Sequence, residues 1–192
     1  MAYFTAVLSP HGSGDGSTGD LDWRPVDVDL EAGSPDELGD VLRGAVDGSG
    51  SPDAPVLAVL EREDEWFAVV RTDGPIDVKV FVSDAVAAAE SAYAPLFAEL
   101  PTADDRAGTA GGDDGDDDGD EDDEDADDGT QEARPEPAVA EDVWAGDPEL
   151  LADLGCPAAV LLRLAGSGVD PAEATVEVGE LLGFADVLES LR

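Results

Sequence analysis

A chain of 192 residues with 48 Asp and Glu against 9 Lys and Arg carries a formal net charge of −39 at pH 7. Lys79 is its only lysine and the arginines are scattered, so no basic stripe exists to neutralise phosphates; direct binding of nucleic acid or of an anionic membrane surface is disfavoured. The lone Cys156 excludes a disulfide scaffold or a thiolate zinc cluster, while 42% hydrophobic content suffices for a packed core.

In chain order, Tyr3 to Leu8 is a short apolar run suited to a strand, followed by a Gly- and Ser-rich loop from His11 to Asp20. Val26, Val28 and Leu30 alternate with Asp27 and Asp29, which predicts a second strand with one wet face, near a sheet edge. Ser34, Pro35 and Glu37 form a capping box with proline at the first helical position; Leu38, Val41, Leu42 and Ala45 follow at helical spacing. The spacing predicts a helix from about Pro35 to Val46.

Val56 to Leu60 is apolar on both faces and reads as a central strand. Trp66 to Arg71 is its hairpin partner across the acidic corner Glu63 to Glu65, and Ile76 to Val82 follows the turn Thr72 to Pro75. Ser83 is expected to cap a second helix with Val86, Ala89 and Tyr93 on one face, ended or kinked by Pro95. The order β-β-α-β-β-β-α over residues 1–99 is an α+β domain with an antiparallel sheet.

Residues 100–146 hold Gly, Asp, Pro and Ala with almost nothing apolar before Val139, too little burial to offset chain entropy. They are expected to be a disordered, self-repelling acidic linker. In 147–192, Asp147-Pro148, Cys156-Pro157 and Asp170-Pro171 place proline at helix starts, and Gly155, Gly166 and Gly183 stand where helices would stop. Phe184, Val187, Leu188 and Leu191 make a last amphipathic stripe, so the tail reads as a small all-helical module, marginal in size for a core of its own.

Chemistry-bearing motifs are weak. Asp114, Asp116, Asp118 and Gly119 open like a calcium loop, but Glu121 and Asp125 break the later positions, and composition explains the match. His11 lies in a loop with nothing to orient it as a base. Cys156 could gain thiolate character at a helix start, yet no second Cys or nearby His supports nucleophilic chemistry. No catalytic residue, metal site or cofactor site is expected.

Trp66 and Phe67 are adjacent strand residues and therefore point to opposite faces of the sheet. Two readings stand. With one sheet face poorly covered, Glu61, Arg62, Glu63, Asp64, Glu65, Trp66, Phe67, Val69 and Arg71 would form a partner-binding surface, since aromatics and Arg often carry binding energy. Alternatively both rings are core, the second beneath the C-terminal helices or a second copy.

The blocks YFTAVL (Tyr3 to Leu8), VLAVLEREDEWFAVVR (Val56 to Arg71), VFVSDAVAAAESAYA (Val80 to Ala94), DPELLADLG (Asp147 to Gly155) and LGFADVLESLR (Leu182 to Arg192) together resemble the actinobacterial tRNA adenosine deaminase-associated proteins. The resemblance spans most of 1–99 and 147–192 and departs at the His11 to Asp20 loop. It implies association with a tRNA-editing deaminase and supplies no catalytic residues. The chain is not the deaminase itself, which needs H-x-E and P-C-x-x-C, whereas His11 is followed by Gly12-Ser13 and Cys156 is alone.

The expectation is a non-catalytic cytoplasmic accessory protein that binds another protein, with a tRNA adenosine deaminase as the implied partner. No apolar run approaches the ~18 to 20 residues of a spanning helix, and no basic region precedes the apolar start. Two alternatives remain: an acidic nucleic-acid mimic or chaperone using Asp113 to Asp128 against a basic RNA-binding surface, and a small-ligand regulator or enzyme using clustered carboxylates.

Overall fold

A computed structural model describes residues 3–10, 21–28, 34–46, 54–73, 77–102 and 143–192. Six strands, β1 (Tyr3–Pro10), β2 (Trp23–Val26), β3 (Val56–Arg62), β4 (Trp66–Asp73), β5 (Asp77–Val82) and β6 (Ala145–Gly146), form one antiparallel sheet in the order β2-β1-β3-β4-β5-β6. The fold class is α+β, as the sequence predicts. Register pairs Phe4 with Glu61, Glu61 with Phe67 and Val69 with Phe81, so these side chains share one face.

That face and its reverse are both dry. Val7, Ala58, Leu60, Trp66, Val70 and Val82 pack under three helices, α1 (Pro35–Val46), α2 (Ala85–Ala89) and α3 (Ala94–Phe97). Leu8, Leu57, Val59, Phe67, Val69 and Phe81 pack under the C-terminal segment: a 3-10 turn (Ala152–Leu154), α4 (Ala158–Gly166), α5 (Pro171–Leu182) and α6 (Ala185–Leu191). Residues 147–192 thus share a core with the sheet. Gly179 permits the tight α5–α6 corner, since a Cβ there would stand 3.0 Å from the Ala185 Cα.

Local signals explain the elements that match expectation. The Glu37 N–H donates to Ser34 Oγ at 3.2 Å, as the capping box requires, and Leu38 and Leu42 are buried beneath it. Asp170 caps α5 by accepting from the Ala172 N–H at 2.8 Å, Pro171 opens it, and Gly183 closes it at φ 82°.

Several expectations are corrected. The second strand begins at Trp23 and ends at Val26; Val28 lies beyond it and Leu30 is outside the described residues. Pro25 is tolerated because β2 is an edge strand. Asp84, not Ser83, caps α2, because Ser83 Oγ accepts instead from the Phe67 N–H at 3.0 Å. The helix breaks after Ala89, so the Val86 to Tyr93 spacing does not apply: Val86 is 68% exposed and Pro95 opens a second short helix. Asp147-Pro148 starts a turn and the 3-10 segment, not an α-helix.

Both ends of the stretch assigned to the acidic linker belong to the folded body. Ala145 and Gly146 pair with Val82 and Phe81 as β6, the Gly146 N–H donates to the Pro101 carbonyl at 2.8 Å, and Thr102 bridges Ala145. Gly146 has φ 95°, and a Cβ on it would collide with the Val80 carbonyl. The His11 to Asp20 loop, the tip of the Thr72 to Pro75 turn and the calcium-like Asp114 to Asp125 run lie outside the described residues.

Candidate binding site

The β3–β4 corner sorts the predicted surface residues into two groups. Trp66, Phe67, Val69 and Arg71 are buried within the chain and offer no surface, while Glu63 and Asp64 are exposed and Arg62 and Glu65 are half-buried. The rings are core, on opposite faces: Trp66 meets Phe97 edge to face with centroids 5.3 Å apart, and Phe67 packs against Phe81. The C-terminal helices supply the cover that the sequence left open. Asp64 sits in the left-handed region at φ 62°, the Glu65 N–H closes the turn onto the Arg62 carbonyl at 3.1 Å, and Arg62 Nη1 pairs with Glu65 Oε2 at 2.7 Å.

Arg71 works inside the fold. Its guanidinium donates to the Leu150 carbonyl at 2.7 Å, to Asp73 Oδ1 at 2.9 Å and to both oxygens of Asp153. The Arg71 hydrogen bonds hold the Asp153 carboxyl below the usual range. These contacts fasten the 3-10 turn to β4.

Glu61, at 4% exposure, is the one buried carboxylate among the described residues. Its Oε1 accepts from Thr175 Oγ1 of α5 and from Arg192 Nη2, the latter at 2.5 Å. Burial raises its pKa, against the opposing pull of Thr175 and Arg192. The Arg192 guanidinium also lies 5.0 Å from the centroid of Phe4 and donates to the Ala172 carbonyl at 3.2 Å.

Beside this cluster opens a cavity of about 210 Å³ whose lining includes Tyr3, Phe4, Glu61, Glu63, Asp170 and Arg192. It joins the start of β1, the end of β3 and the N-terminus of α5. A larger hollow of about 410 Å³ lies where β2 ends beside β1, with Thr5, Ala6, Val26, Val28 and Leu191 in its wall.

Sequence reasoning found Glu61 and Glu63 but missed Tyr3, Phe4, Asp170, Thr175 and Arg192. Their meeting depends on docking of the C-terminal helices, which no local pattern encodes; the Asp-Pro cap was visible only as a helix start. Cys156 is buried and its thiol is pushed up to about 11 by burial, then by Glu177, so it stays protonated at neutral pH. His11 is outside the described residues. Among the described residues no group of three or more His, Cys, Asp or Glu could hold a metal ion, and no helix is long and apolar enough to cross a membrane.

Comparison with known proteins gives one result. The family described as Rv3753c-like tRNA adenosine deaminase-associated protein matches residues 17–185. No curated protein and no solved structure matches the chain.

Proposed function

We propose a function that starts from family membership: this chain belongs to the Rv3753c-like tRNA adenosine deaminase-associated proteins, and it acts in the cytoplasm as a non-catalytic accessory protein that binds another protein, a tRNA adenosine deaminase. The family match is the observation that carries it. Support comes from the site as well. The lining of the Glu61 cavity includes no Ser, Cys, His or Lys among the described residues, and its buried carboxylate already accepts two donors. RNA would be reached through the partner, since this surface cannot supply the cations that phosphates require.

Docking uses the exposed remnant of the corner, Glu63 and Asp64, with Arg62 and Glu65 at its base. Like-charged groups there steer a basic partner, with an on-rate that falls as salt is added. Affinity purification of the tagged full chain from native extract should recover the deaminase, and Glu63→Lys with Asp64→Lys should lower recovery by roughly tenfold. Absence of the deaminase, or substrate turnover by the purified chain that one substitution abolishes, would overturn the proposal.

A second function is favoured by one observation: the described residues on either side of the acidic segment are fixed to the body beside each other, with Thr102 bridging Ala145. As an acidic mimic of nucleic acid it would lose partner binding when Asp113 to Asp128 is deleted. An accessory protein that docks by the corner tolerates that deletion.

A further inference from the structure

We propose that the cavity beside Glu61 receives an arginine side chain of the protein partner. The inference rests on the accessory role proposed above and names the chemistry of its contact. Three independent features point to it. First, Glu61 is almost wholly buried, yet both of its hydrogen bonds fall on Oε1, and among the described residues no donor reaches Oε2. That oxygen is not sealed from solvent, so an incoming donor can reach it from the cavity that Glu61 lines, and a charge-assisted bond to it is among the stronger polar contacts a protein can offer.

Second, the place already holds a guanidinium. Arg192 stacks over Phe4 and meets Glu61 Oε1, Thr175 Oγ1 at 3.0 Å and the Ala172 carbonyl, which is what arginine recognition requires: an aromatic plane, a carboxylate and a carbonyl. Arg192 is part of the cavity wall, and Asp170 adds a second carboxylate to it. Asp170 is exposed and accepts one bond, from the Ala172 N–H of its own helix, leaving acceptor capacity for an incoming donor.

Third, the size and walls of the cavity suit an organic cation: about 210 Å³ walled by Tyr3 and Phe4 accommodates a flat guanidinium with its aliphatic stem. The partner's guanidinium takes Glu61 Oε2 and Asp170 while Arg192 keeps Oε1. Glu63, an exposed residue of the cavity wall, ties this pocket to the corner, so one basic segment can touch both.

The test uses the full-length ¹⁵N-labelled chain titrated with the peptide acetyl-Gly-Arg-Gly-amide, with its citrulline counterpart and with free L-arginine. The arginine peptide should shift the amides of Phe4, Glu63 and Asp170 saturably, and the neutral citrulline peptide should leave them in place. Free arginine should bind roughly tenfold more weakly, because its own carboxylate meets the acidic rim. Glu61→Gln and, separately, Asp170→Asn, which keeps the cap acceptor, should each weaken the arginine peptide by about tenfold. Equal shifts with citrulline, or arginine shifts unchanged in both variants, would overturn the pocket as diffuse attraction to a polyanion. Loss of the deaminase from native extract with the titration intact would remove the named partner and leave the arginine site standing.

Discussion

The two faces of the sheet are covered in different ways. Helices α1, α2 and α3 come from sequence adjacent to the strands they cover and bury an apolar cluster against them, with the Thr5 and Tyr93 hydroxyls 3.5 Å apart. The opposite cover arrives from residues 147–192 and is held by directional bonds as well as by packing. Arg71 grips the 3-10 turn, Glu61 grips α5 and Arg192, and Trp23 Nε1 donates to the Leu182 carbonyl at 2.8 Å. On the first face the buried indole Nε1 of Trp66 has no hydrogen-bond partner among the described residues. Apolar burial is non-directional, so a cover delivered from far along the chain needs polar anchors to fix its seat, and a cover delivered by short connections does not.

The largest expected effect tests whether the two covers belong to one cooperative unit. Phe184→Ala on the distant cover should cost about 3–5 kcal/mol and Leu38→Ala on the adjacent one about 2–5 kcal/mol. In urea unfolding followed by circular dichroism and tryptophan fluorescence, each should lower a single shared midpoint. Two separated transitions in either variant would split the sheet's two faces into independent bodies.

Arg71→Met comes next. A fully buried pair would cost more, but Asp153 is 63% exposed, so the expected loss is about 1–3 kcal/mol, from the Leu150 carbonyl left without its donor and a screened ion pair. Its pH signature follows from Asp153, whose folded pKa is lowered: the stabilisation is present above about pH 4 and is lost as pH falls below 3.8. The variant should lack that acid-limb loss. A midpoint within error of the parent would remove the anchor role.

The two tryptophans sharpen the contrast. Trp23→Phe should cost about 1–2 kcal/mol more than Trp66→Phe, because only the first change strands a carbonyl, while the second deletes a donor that has no acceptor. Equal midpoints in the two variants would count against directional anchoring.

The smallest effect belongs to Glu61→Gln, expected within about 1 kcal/mol at pH 7, since a neutral amide can still accept from Thr175 and sheds the charge-burial cost. Glu61 is neutralised more readily folded than unfolded. The parent should therefore gain stability relative to the variant as pH falls from the raised folded value toward 4.5. Thermal midpoints measured across that range would show a flat difference if the carboxylate were ordinary.

The same contrast explains what was readable beforehand. Helix α1 and the β3–β4 hairpin carry their instructions locally, in a capping box and in two apolar runs around an acidic turn. The start of β2 was not legible, because Trp23 is fixed by Phe184, whose ring centroid lies 5.7 Å away and 161 positions later. Nor was β6, two residues whose strand character comes entirely from the edge they join. At the site, Glu61 and Glu63 stood out as charges near a turn, while Thr175 and Arg192 gave no hint that they would meet a strand more than a hundred positions upstream.

The pairing of Thr102 with Ala145, with Gly146 against Pro101, makes that junction a natural splice point. Residues 103–142 connect two roots that are already clamped together, so halving or doubling the number of residues in that connection is expected to alter closure entropy by only ~0.6 kcal/mol. A fluorescent reporter or a compact foreign domain could be grafted there, and the sheet would register little more than a change in the length of a detour.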